Sequence, residues 1–211
     1  SGTYHHSMVV GSLAEAAAEA SGSNSLLARV SAYYHDIGKL AKPEYYAENE
    51  SAASRSRHEK LTPSMSTLVV KSHITEGLEM ARRERLPRVV RDAIPEHHGT
   101  MVMAFFYHKA LESDPGARRE EFCYPGPRPR SRETAILMLA DGVEGASRAL
   151  AEPTPSRIRG LVTRILEERV QQGQLDECGL TLQDLARIRE AFIPVLTAIF
   201  HVRVPYPEEP K

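Results

Sequence analysis

Two Thr-Pro steps, Thr62-Pro63 and Thr154-Pro155, each open an apolar repeat of helical period, and strand-like alternation is almost absent from the chain. A threonine oxygen can accept the free amides of a first helical turn, and a proline just inside the helix lacks an amide that would go unbonded there. These steps predict helices running to about Arg85 and about Gln172. The same period puts Val9, Val10, Leu13, Ala16 and Ala17 on one stripe of a first helix, roughly Tyr4 to Ala20. A second helix, capped by Ser25, is expected to reach about His35-Asp36, with Gly38 ending it. Leu86-Pro87 breaks the long helix; a short one follows to Glu96-His97-His98-Gly99, then another from Val102 to Glu112. Helices over Thr134 to Leu150 and from Thr181 to about His201 complete the set, the last kinked at Pro194. Two segments read as loops: Ala41 to Leu61, mobile around its Ser/Arg-rich part near Ser51 to Arg57, and Asp114 to Arg130, too rich in Pro, Gly and Arg for regular structure. The expectation is an all-α bundle of about seven or eight helices in one domain spanning the chain.

Composition narrows the function. With 211 residues, 41% hydrophobic and 26% charged, the chain can bury one sizeable core, and it shows no convincing internal linker. A net charge of −1 and the lack of a long Lys/Arg run argue against a nucleic-acid polymer as partner. Cys123 and Cys178 have no CxxC spacing, which fits a reducing cytosolic setting rather than a disulfide framework. No apolar run is long enough to cross a bilayer, and the N-terminus lacks a signal-peptide layout. Ser1-Gly2 reads as a cloning remnant on a piece of something longer.

Chemistry concentrates in the nine histidines. Divalent transition metals take imidazole nitrogen and carboxylate oxygen, and two neighbouring ions need about six to eight protein ligands with one shared between them. The candidates are His6, the His35-Asp36 step, His73, the His97-His98 step and Asp141. His35-Asp36 closes a helix that Ala28, Val30 and Ala32 mark as buried, where an unpaired aspartate would be costly. Taken singly, the others have plainer readings. His73 could be a core or capping histidine beside Val69 and Val70, Asp141 a helix-terminal carboxylate, and Lys39 a cation at a helix C-terminus. Neighbours on a helix differ by roughly 100° in direction, so only one of His5 and His6 faces a common site. The same objection bears on His97 and His98, eased by the helix terminus at Gly99.

Tyr33-Tyr34-His35-Asp36-Ile37-Gly38-Lys39 contains His-Asp-Ile-Gly-Lys, and on that motif the chain resembles the HD-domain phosphohydrolases. The resemblance sharpens with Gly2-Thr3-Tyr4-His5-His6-Ser7, Glu96-His97-His98-Gly99-Thr100, Tyr107-His108-Lys109-Ala110, Tyr124-Pro125-Gly126-Pro127, Leu139-Ala140-Asp141 and Asp176-Glu177-Cys178. On these the chain is similar, over essentially its whole length, to the PgpH-type seven-transmembrane receptor HD family, while the Gly-Tyr-Pro motif of cyclic di-GMP-degrading relatives is missing.

That resemblance implies a metal-dependent phosphodiesterase that opens cyclic di-AMP to 5′-pApA with a hydroxide bridging two divalent metals, iron or manganese. One metal would be held by His6, His35, Asp36 and Asp141, the other by His73, His97 and His98, with Asp36 shared. His6 is chosen over His5 on the family pattern; if only one of His97 and His98 binds, His98 is expected to remain. Lys39, beside Asp36, is expected to serve catalysis and bind a phosphate oxygen. Tyr107 and His108 are expected to contact substrate, and His58, Lys60 and Ser64, around the segment Arg55 to Pro63, to close over it. Simple packing and a solvated charged loop are the plainer alternatives for these residues. The family also implies an N-terminal membrane portion outside this chain and a place on the cytoplasmic face, with the fragment itself soluble. The rivals are an HD phosphohydrolase acting on cyclic di-GMP or a mononucleotide, and a nucleotide-sensing HD module without turnover.

Overall fold

Helix α8 (Arg132–Ser147) is the axis of the molecule, because its sequence is apolar on every side. Ala135, Ile136, Leu137, Met138, Leu139 and Ala140 are each no more than 1% exposed. A helix of this kind has to be surrounded. In this computed structural model, which describes residues 2–49 and 56–201, α1 (Gly2–Ser21), α2 (Ser25–Tyr34), α9 (Pro155–Gln171) and α10 (Leu182–His201) pack around it. Val10, Leu13 and Ala17 of α1 join Ile158 and Val162 of α9 and Ile188 and Phe192 of α10 in the main core. A smaller core of Ile74, Ala81 and Ile94, with Ile37, Leu78, Leu86 and Tyr124 against it, forms on α4 (Pro63–Arg83). Short turns α3 (Ser56–Glu59), α5 (Arg88–Arg91) and α6 (Ala93–Glu96) and helix α7 (Ala104–Ser113) complete the order. Ala93 belongs to the larger core and Ile94 to the smaller, so α6 lies where the two meet.

The fold is all-α. Among the described residues α1, α2, α4, α7, α8, α9 and α10 are helices of ten residues or more, and the β pairing is one isolated bridge, Val102 with Cys123. Both Thr-Pro starts form as expected: the Thr62 and Thr154 side chains accept from the amides of Met65 and Arg157. Helix α10 runs on across Pro194. No helix among the described residues is long and apolar enough to cross a membrane.

Several local expectations need correction. Asn24, not Ser25, caps α2, its Oδ1 accepting from Leu27 N at 2.9 Å. The helix stops at Tyr34, and Gly38 does not end it; Gly38 lies inside a 3-10 turn, Ile37–Ala41. Its glycine character has another cause, since a Cβ there would collide with the carbonyl of His73 on α4. Gly2 opens α1 and packs on the backbone of Glu48 too closely for a side chain. The stretch from Ala41 to Leu61 holds 3-10 turns at Pro43–Tyr45 and Ala47–Asn49 as well as α3. The mobility expected near Ser51 to Arg57 falls largely on residues 50–55, outside the described ones. The helix expected before His97 is two single turns, α5 and α6. The segment from Asp114 to Arg130 contains a 3-10 turn, Arg119–Phe122, because Phe122 is buried and its carbonyl accepts from Met103 N at 2.8 Å.

Candidate metal centre

His35 and Asp36 occupy the turn between the end of α2 and the 3-10 turn at Ile37–Ala41, and both are essentially inaccessible. The backbone contact at Gly38 presses that turn onto α4 beside His73. α1 presents His6, α8 presents Asp141, and the end of α6 presents His97 and His98. The α6 end is fixed on both sides. The buried Glu96 carboxylate accepts from Arg130 N at 3.0 Å and Thr134 Oγ1 at 2.7 Å. Gln174, in the turn after α9, accepts from Thr100 N at 3.0 Å and donates to Thr100 Oγ1 at 3.0 Å.

These seven side chains form two groups, each able to hold a metal ion. One is Asp36, His73, His97 and His98; the other is His6, His35 and Asp141; in each, one ligand atom per residue lies within 4.8 Å of the others. Asp36 faces both groups. Its Oδ1 is 3.6 Å from Nε2 of His73 and 3.6 Å from Nε2 of His97. Its Oδ2 is 3.2 Å from Nε2 of His35 and 3.4 Å from Nε2 of His6. Both carboxylate oxygens and all four of these nitrogens are buried without a directional hydrogen bond. Buried polar atoms are normally partnered; here Lys39 pairs with Asp36 Oδ2 and Asp141 with His6 Nε2, while the other four face one another with no hydrogen bond, which fits a site built for cations.

The opposite edge of each ring explains the aim. Nδ1 of His35 contacts Ala32 O at 2.7 Å, Nδ1 of His73 contacts Val70 O at 2.5 Å, and Nδ1 of His97 contacts Ile94 O at 2.7 Å. A carbonyl only accepts, so each Nδ1 carries a proton and each Nε2 is the edge turned inward. His6 is held differently: its Nδ1 meets Glu144 Oε2 at 2.6 Å. His98 stacks on Tyr124, with ring centres 4.1 Å apart and planes 19° apart.

The HD domain family matches residues 3–146, more than half of the chain. This chain belongs to the HD-domain family. This HD domain is 46% identical over 210 residues to the cyclic-di-AMP phosphodiesterase PgpH of Bacillus subtilis (strain 168), a match covering 100% of this chain and 29% of the relative. It is 40% identical over 208 residues to the protein of the same name from Listeria monocytogenes serotype 1/2a (strain 10403S), covering 99% and 29% respectively. The domain therefore spans under a third of the length of these relatives. Among solved structures, the L. monocytogenes PgpH HD domain in complex with cyclic-di-AMP superposes with a TM-score of 0.90 at 40% identity, covering 97% of this chain and 94% of that one.

The charge distribution in the HD domain puts neutral imidazoles on one side and carboxylates with a protonated His6 on the other. Burial drives the pKa of His97 down to about 3, and the same cause lowers His73 and His98. Burial opposes charge on His6 too, but Asp141, Asp36 and Glu144 overcome it and raise its pKa to about 11. Asp36 and Asp141 stay ionised despite burial, held down by His35 and Lys39 in one case and His6 in the other. Lys39 Nζ lies 2.6 Å from Asp36 Oδ2 and 2.9 Å from Glu48 Oε1. Its partners are thus carboxylates.

The remaining expected residues divide. His5 is exposed while His6 is buried, so the first helix turns one of the pair inward. His97 and His98 both reach the site because α6 ends at Glu96, releasing the angle that a continuing helix would impose. Asp141 is not helix-terminal: α8 continues to Ser147. His58 lines a cavity of about 400 Å³ with Tyr45, Tyr46, Phe105, Phe106 and Lys109. The cavity adjoins the ligand groups through Tyr46, whose ring centre is 6.0 Å from that of His73. Lys60 and Ser64 are exposed near its rim residues Glu59 and Pro63. Tyr107 packs on Phe122 at 5.6 Å, and His108 is exposed beside it, so the structure does not bring this pair into the ligand groups. Glu144 and Tyr124 gained no role from the sequence. Asp141 and Glu144, three apart on one helix face, were the available signal for the first.

Proposed function

We propose that this HD domain hydrolyses a cyclic dinucleotide, cyclic di-AMP to 5′-pApA, at a pair of divalent transition metals, iron or manganese. The observation that carries this reading is Asp36, whose two buried oxygens each face a separate set of imidazoles. His6, His35 and Asp141 would hold one ion, and His73, His97 and His98 the other, with Asp36 between them. Such a pair would supply a nucleophile at neutral pH by acidifying bound water and would offset charge on the phosphate. Substrate preference rests on similarity: the relatives named cyclic-di-AMP phosphodiesterase are 46% and 40% identical, and the related crystal structure holds that ligand.

The chain's own residues bind and orient the rest. Lys39, paired with Asp36 and Glu48, supplies a cation at the edge of the Asp36 carboxylate where a phosphate oxygen can be received. The aromatic cavity beside Tyr46 would accept an apolar, planar portion of the dinucleotide, with His58 in its wall and Lys60 and Ser64 next in the chain to its lining residues Glu59 and Pro63. Tyr107 and His108 are left as an outer contact on α7. Water adds across one P–O3′ bond, leaving a free 3′ hydroxyl and a 5′ phosphate. The portion of the relatives that this chain does not span would carry the membrane helices, placing the domain on the cytoplasmic face. Anaerobically prepared protein, assayed with Mn²⁺ or Fe²⁺ on cyclic di-AMP, cyclic di-GMP and mononucleotides, should yield 5′-pApA fastest. Tight binding of cyclic di-AMP without turnover would instead make the domain a sensor, and faster mononucleotide hydrolysis would make it a different phosphohydrolase.

A further inference from the structure

Three of the inward-facing imidazoles are backed by neutral backbone carbonyls: His35 by Ala32, His73 by Val70 and His97 by Ile94. His6 alone of the four is backed by a carboxylate, Glu144 Oε2 at 2.6 Å. Glu144 is 4% exposed, and its other oxygen, Oε1, accepts from Arg148 Nε at 2.9 Å one helical turn away. Glu144 belongs to α8, which also carries Asp141, and Arg148 caps the end of that helix, so a single helix supplies an anionic ligand and the anionic support of a second ligand.

A carboxylate behind a metal-bound imidazole makes the ring a stronger donor and locks its orientation, whereas a carbonyl mainly orients it. The charges facing Glu144 are His6 from α1 and Arg148 from the cap of α8, the latter one-third exposed and so partly screened by water. Lys39 reaches Asp36, which is common to both groups, and so weighs on each.

We infer that Glu144 is a positioning residue that makes the two metal positions unequal, so that the His6, His35 and Asp141 position binds a divalent metal more tightly and fills first. This inference rests on the two-ion reading above. The His73, His97 and His98 position, built from carbonyl-backed or ring-stacked imidazoles, is the weaker and more exchangeable one.

The test is titration of metal-free protein with Mn²⁺, followed by calorimetry and by electron paramagnetic resonance of the bound ion. Wild type should load in two resolved steps, with an isolated-ion spectrum after the first equivalent. Glu144→Gln replaces the carboxylate with a neutral acceptor like those behind the other rings. It should weaken the tighter step about 10–100-fold and leave the weaker one in place, drawing the two together. Arg148→Gln, further out and less demanding on the fold, should weaken the same step by less. His73→Ala should keep the tight step and lose the weak one. Two equal steps in wild type, or a Glu144→Gln protein in which neither step or only the weaker one moves, would overturn the inference while leaving a two-ion site standing. Fewer than two equivalents bound by wild type would remove the two-ion reading and this inference with it.

Discussion

At the scale of single residues, Asp36 carries the largest share of the account. It has ligand groups on both sides, so Asp36→Ala should depress occupancy of both positions and lower hydrolysis by well over the roughly hundredfold typical of losing an outer partner. Elemental analysis beside product chromatography checks both halves. His5→Ala should turn over like wild type, because the His5 side chain points to solvent. His6 adds a pH signature. Against burial, Asp141, Asp36 and Glu144 raise its pKa to about 11 in the metal-free protein, so at neutral pH an ion entering there must displace a proton, and that position's advantage over the other widens as pH rises. Calorimetry of metal uptake in buffers of different ionisation enthalpy should show that release near pH 7, and His6→Gln should lack it. The seven candidate ligands were legible from residue type and motif, yet His5 and His6 were separated only by the family pattern. Direction around a helix depends on packing against α8, α2 and α10, which no local sequence rule contains. Glu144 escaped for a related reason: a carboxylate that touches a ligand instead of an ion leaves no motif.

At the scale of elements, the Thr-Pro starts, the breaks at Leu86-Pro87 and the apolar run of α8 were readable because each expresses a local backbone preference. The misreadings came where tertiary contact sets the geometry. Gly38 resembles a helix stop in sequence, but its reason is a backbone approach to His73 across the interface between the HD turn and α4. Gly38→Ala should therefore cost about 1–3 kcal/mol from overpacking and weaken metal binding at the same time. Thermal melts of metal-free protein together with Mn²⁺ titration would register both effects. Thr62→Ala offers the contrast. Losing the cap on α4 should cost about 1 kcal/mol while leaving metal affinity unchanged, since the cap lies eleven residues and about 16 Å of helix rise from His73. The Asp114 to Arg130 segment was misread because a single buried side chain, Phe122, outweighs a run of residues that favour loops.

At the scale of the molecule, two cores of unequal size meet at the ligand groups, and the site is built from α1, the α2 turn, α4, the α6 end and α8 together. Removing the metals should therefore expose the whole fold to pH. His97, with its pKa pushed to about 3, and the similarly lowered His73 and His98 refuse protons that the unfolded chain accepts below about 6.5. A group whose pKa falls on folding in this way favours the unfolded state as acidity rises. The metal-free domain should lose stability progressively as pH drops from about 6.5 towards about 3. His6 acts oppositely: its contribution is complete below about 6.5 and is lost as pH rises towards about 11. Melting temperatures across that range, with and without Mn²⁺, would show both limbs. That the fold is an all-helical HD domain was legible at this scale; that its site sits at the junction of two cores was not, since sequence orders residues but does not say which core each will join.

The most direct measurement of the central claim is anomalous diffraction from crystals of the metal-loaded domain. Two peaks about 3.5–4 Å apart are expected, one on each side of Asp36, the first within reach of His6, His35 and Asp141 and the second within reach of His73, His97 and His98. A single peak, or two that do not share Asp36, would contradict that claim.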